Sequence, residues 1–99
     1  MASNPTPAVV RAPTELDAVS APGFRDHLAT LLSYGAESLV VEMHDVTFID
    51  SSGMGALVAA RKLAAERGGG LQLHGVGEKV AASLRLAGLT EFLGVREGT

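Results

Sequence analysis

The chain has 99 residues, 46% of them apolar and 19% charged, a balance that builds one globular domain around one core and excludes a disordered polyelectrolyte. Eight basic against eleven acidic residues give a formal net charge of −3, with no basic stripe to displace counterions, so nucleic acid is not an expected partner. The absence of cysteine removes disulfides, thiolate nucleophiles and thiolate metal sites together.

Residues 1–7 are rich in Pro, Ser and Asn and read as a disordered tail, without the basic and apolar regions of a signal peptide. "AVVRA", residues 8–12, is a short β-prone run. Pro13 closes it, and its missing N–H suits a strand end or an edge. In the following segment Ser20 is the expected N-cap, with Pro22 tolerated in the first turn. Phe24, Leu28, Leu31 and Leu32 then recur at helical spacing, and Gly35 ends the helix.

Leu39, Val40, Val41 and Met43 form a nearly unbroken apolar run, which reads as a strand covered on both faces. Val46, Phe48 and Ile49 lead to the junction "DSSGMG". A second helix is expected over residues 52–67, with Met54, Leu57, Ala60, Leu63 and Ala64 along one side and Gly68–Gly70 ending it. "LQLHGV" supplies another strand. "GEKVAASLRLAGL" gives a third helix, with Val80, Leu84 and Ala87 on one side, and "TEFLGVREGT" offers a last edge strand. The alternation of strand and helix predicts parallel strands joined by right-handed crossovers. The expected fold is a small α/β domain: an open mixed or parallel sheet of four to five strands covered by three or more helices, spanning residues 8–99. No apolar run approaches the roughly 20 residues that span a bilayer, so a cytoplasmic chain without direct membrane binding is expected.

The chemistry concentrates at Asp50-Ser51-Ser52-Gly53-Met54-Gly55, a loop at the carboxyl end of a strand and the start of a helix, where sites in α/β sheets are built. Backbone N–H groups there lack partners, and the helix dipole favours negative charge. Ser51 or Ser52 would serve as N-cap, with Asp50 aiding the dipole. A cap does not explain Gly53 and Gly55, each of which costs about 1 kcal/mol relative to Ala inside a helix. They serve either tight packing or access of a large partner to the serines. A phosphate on either serine would bring up to about two negative charges and three acceptor oxygens. Physical chemistry alone does not choose between the two hydroxyls.

Enzymatic motifs fail at this junction. A nucleophile elbow needs Gly two residues before its serine, and Asp50 stands two before Ser52; a Walker A loop needs Gly-Lys-Ser/Thr, which does not occur. No catalytic residue, metal site or cofactor is therefore expected. His27, His44 and His74 lack metal-ligand spacing, although His44 and His74 end successive strands and would lie near each other.

"TFIDSSGMGALVAARKLA", then "GGGLQLHGVGEKVAASLRLAGLTEFL", with "TELD" upstream, resembles the STAS domain of bacterial anti-sigma-factor antagonists over residues 9–95. Thr14 stands where that family carries a glycine, and residues 8–12 supply one of its two leading strands. The resemblance implies a protein that binds an anti-sigma factor, itself a GHKL-type serine/threonine kinase, and thereby releases a sigma factor. It implies phosphorylation of the serine after the aspartate, here Ser51, reversed by a serine phosphatase. It also implies a partner-binding surface of Glu15, Asp17, Asp50, Ser51, Ser52, Gly53, Met54 and Gly55. Met54 reads equally as an exposed contact residue or as core. The alternative within the same fold is an unphosphorylated scaffold subunit of a transporter or lipid-trafficking complex.

Overall fold

In the structure, a computed structural model that describes residues 7–96, eight elements follow one another. They are β1 (Ala8–Arg11), β2 (Glu15–Leu16), α1 (Ala21–Ser33), β3 (Leu39–Glu42), β4 (Phe48–Ile49), α2 (Ser51–Glu66), β5 (Leu71–His74) and α3 (Glu78–Leu86). The tail expected at residues 1–7 lies, except for Pro7, outside the described residues.

Every strand pairing among the described residues is parallel, as the alternation of strands and helices requires. β1, β3 and β5 form one sheet in that order, with Val10 opposite Val41 and Val41 opposite Leu73. β2 and β4 form a separate ladder that sets Leu16 beside Ile49. Five strands are present among the described residues, within the four to five expected, but they are divided three and two rather than joined in one sheet, and β2 is one the sequence did not indicate. The two ladders break at the same level: the first ends with Ala12 N–H donating to Glu42 O, and the second begins with Thr47 N–H donating to Thr14 O. Pro13 sits at the break, where its lack of a donor does no harm. The last expected strand reduces to one parallel bridge between Leu73 and Val95.

Side chains alternate across the three-stranded sheet, so Val10, Leu39, Val41, Leu71 and Leu73 are buried. The opposite face carries exposed Val9 and Arg11 and half-buried Val40, Glu42, Gln72 and His74. The expectation that β3 is covered on both faces is therefore corrected. Register explains it: Val40 lies between Val9 and Gln72, and Glu42 between Arg11 and His74. A helix laid on that face would bury those charges, which is costly without full pairing.

α1 buries Phe24, Leu28 and Leu32 and packs on α2, whose contact stripe of Ala56, Leu57, Ala60 and Ala64 is mostly small and admits close approach. Each fully buried leucine contributes about 1.5–3 kcal/mol of transfer free energy. α2 begins one residue before the expected start and ends one before the expected end. α3 adds Val80 and Leu84 to the core, and Leu93 closes it from the C-terminal turn.

Candidate functional site

β2 and β4 run parallel, so their carboxyl ends release two loops side by side, and Asp50 N–H donates to Leu16 O at 3.1 Å across the gap. The first loop is a built turn. Asp17 Oδ1 accepts from the N–H groups of Val19 and Ser20, both at 3.0 Å. Ser20 Oγ donates to Glu15 O at 2.5 Å and accepts from Asp17 N–H at 3.2 Å. Ser20 holds the N-cap position of α1, but its hydroxyl makes no capping bond. Its backbone is already helical in φ and ψ, so the side chain turns back to β2 and fastens the loop instead.

At the second loop the cap is Asp50 rather than Ser51 or Ser52. Asp50 has an extended backbone, and its Oδ1 accepts from Ser52 N–H at 2.8 Å and Gly53 N–H at 3.1 Å. Only the residue just outside the helix has the backbone geometry that aims a side-chain oxygen at those donors. Ser51 and Ser52 already belong to the first turn, and their exposed hydroxyls make no hydrogen bond within the described residues. Replacing Asp50 by Ala should cost about 1–2 kcal/mol, and Asp50→Asn should retain most of it, a contrast that thermal unfolding measures.

The two glycines differ in what surrounds them. A Cβ on Gly53 would stand 2.3 Å from Leu16 O and 2.7 Å from Leu16 Cβ, so this glycine lets the start of α2 seat directly on β2. A Cβ on Gly55 would meet nothing within 4 Å. Gly55 instead floors a shallow groove of about 280 Å³ between the starts of α1 and α2, with Ala18, Pro22, Arg25, Ser52 and Ala56. Met54 is half-buried and packs against the core, so its side chain is shared between interior and surface.

Glu15 on β2, Asp17 in the loop after it, Asp50 at the cap and Ser51, Ser52, Gly53, Met54 and Gly55 at the start of α2 thus gather where β2 and β4 end side by side. Three of them are carboxylates flanking the serines, and Arg25 supplies a cation to the groove wall. The histidines lie elsewhere. The His44 ring rests against Gly75 with Nδ1 3.9 Å from the Glu42 carboxylate, and His74 Nε2 donates to Gln72 Oε1 at 3.0 Å. Among the described residues no three His, Asp or Glu side chains are grouped to hold a metal ion, and no helix is long and apolar enough to cross a membrane.

Sequence reasoning overlooked Val19, which the turn at Asp17 leaves 90% exposed. An Asp followed three residues later by Ser at a helix start is the signal that would have found it: such a turn ties its ends down and turns its middle out.

The sequence pattern of the STAS domain matches residues 1–98, the serine loop included. The chain belongs to the STAS domain family. This STAS domain is 32% identical over 81 residues to the anti-sigma-B factor antagonist of Bacillus subtilis, covering 82% of this chain and 73% of that protein. It is 27% identical over 85 residues to the anti-sigma-B factor antagonist of Staphylococcus aureus, covering 86% and 79% respectively. In fold it resembles the anti-sigma factor antagonist SpoIIAA in its unphosphorylated form, with a TM-score of 0.80 at 22% identity over 98% of this chain and 85% of the other.

Proposed function

We propose that this STAS domain is an anti-sigma-factor antagonist. It binds a GHKL-type anti-sigma serine kinase through the loops that carry Asp17 and Asp50, and so releases a sigma factor. Phosphorylation of Ser51 by that kinase switches the binding off, and a serine phosphatase restores it. The observation that carries the reading is the division of labour at the α2 start. Asp50 performs the capping, which leaves the Ser51 hydroxyl exposed and without a hydrogen bond among the described residues. The names of the two bacterial relatives point to the same role.

Ser52 lines the groove against α1, whereas Ser51 does not, which supports Ser51 as the hydroxyl that a kinase site reaches. A phosphate there would stand next to the Asp50 carboxylate, which already occupies two of the helix's N-terminal donors. The added charge is therefore turned toward the partner rather than absorbed by the helix. Incubation with the GHKL-type anti-sigma kinase of the same organism and ATP should place one phosphate on Ser51, read by peptide mass spectrometry, and none on the Ser51→Ala protein. Phosphate on Ser52 instead, or on neither residue, would overturn the mechanism.

A further inference from the structure

Exposed large apolar side chains are normally scattered singly over a soluble surface. Here the described ones are Val9, Val19, Tyr34, Phe48, Leu86 and Phe92, and two of them border the serine loop. Val19 stands in the turn between Asp17 and Ser20, next to Ala18, which shares the groove with Ser52. Phe48 lies on β4 two residues before Asp50, directly opposite Glu15 on β2, and is 49% exposed. The other four lie on the outer part of β1, at the far end of α1, at the end of α3, and under the Arg61 guanidinium at 5.1 Å.

Neither local fold demands these residues. The Asp17 turn is held by its carboxylate and by Ser20, so its outward position takes any small polar residue, and a β-branched side chain is an unusual choice in a turn. Phe48 lies on the side of β4 away from buried Ile49 and borders a groove of about 310 Å³ against α3, with Thr47, Lys79, Val80, Ala82 and Ser83. Each has a carboxylate beside it: Glu15 is opposite Phe48 on β2, and Asp17 accepts from Val19 N–H. Apolar anchors set in a charged rim, on a turn already immobilised by hydrogen bonds, make a low-entropy contact surface.

We infer that Val19 and Phe48 are the two apolar anchors of the partner interface, and that the partner's matching face has apolar pockets rimmed by basic side chains. This rests on the antagonist reading and adds to it the chemistry by which the partner is recognised. The acidic rim steers encounter, while the anchors hold the complex once formed.

The test uses the unphosphorylated full chain and the GHKL-type anti-sigma kinase of the same organism, with affinity measured by calorimetry and association rate by stopped flow. Val19→Ser and Phe48→Ser should each weaken binding about tenfold or more, with unchanged thermal unfolding as the check on folding. Leu86→Ser, which removes a side chain 91% exposed on the end of α3, should bind as wild type. Glu15→Gln should slow association and flatten its salt dependence. Wild-type affinity in both anchor variants, with Ser51→Asp still abolishing binding, would overturn the inference while leaving the antagonist reading standing. An unchanged salt dependence in Glu15→Gln would overturn the basic rim. A wild-type chain with no affinity for the kinase would overturn both readings.

Discussion

Gly53→Ala is expected to destabilise the domain by about 2–3 kcal/mol, although alanine is the better helix former. The new methyl group would stand 2.3 Å from the Leu16 carbonyl oxygen and 2.7 Å from Leu16 Cβ, and neither can give way. Leu16 is completely buried, its backbone is laddered to β4, and its carbonyl accepts the Asp50 N–H at 3.1 Å. The first turn of α2 would have to lift from β2, which strains that bond and the Asp50 cap together. For a domain of this size the loss corresponds to a fall in Tm of roughly 10–20 °C. Gly55→Ala is the matched control. Nothing lies within 4 Å of its added methyl, so the substitution should be neutral or stabilise by up to about 1 kcal/mol. Equal unfolding midpoints for the two variants would refute the assignment of Gly53 to packing.

Ser51→Asp should separate binding from stability. The residue is exposed and makes no hydrogen bond within the described residues, so the fold loses nothing when it changes. An acidic side chain in the first turn gains about 0.3–1 kcal/mol from the helix dipole, offset in part by repulsion from Asp50. Thermal unfolding should therefore stay within a few degrees of wild type. Affinity for the anti-sigma kinase should fall on the order of a hundredfold or more, because an uncompensated carboxylate at the contact is costly to desolvate. Ser51→Ala should bind normally and resist phosphorylation. If Ser51→Asp loses affinity only in proportion to lost stability, the switch is a folding effect and the mechanism is wrong.

Legibility varied with the range of the forces involved. The helices were readable because their apolar positions recur every three to four residues: Phe24, Leu28 and Leu32 in α1, Leu57, Ala60 and Ala64 in α2. β2 was not readable, since Glu15 and Leu16 carry no strand pattern of two residues' length and extend only because β4 lies beside them. β3 misled because an apolar run says how apolar the side chains are, while the neighbours in register decide what covers them. The cap lies one or two positions before the serines that sequence alone offers, for a related reason. Asp, Ser and Ser are all good caps, and only the backbone angles place Asp50 just outside the helix.

By itself the sequence determined the class of fold and the parallel connection of its strands, and it singled out the serine loop as the candidate site. Those follow from periodicity and from residue types, which act over a few positions along the chain. Tertiary structure alone decided that Asp50 is the cap, that Gly53 serves packing while Gly55 has open space around it, that one face of the main sheet carries exposed and half-buried side chains, and that Val19 and Phe48 are exposed. Each of these depends on what lies across a gap from the residue. Distance through space between Leu16 and Gly53, or register between Glu15 and Phe48, is set by the assembled core and is written in no local stretch of the chain.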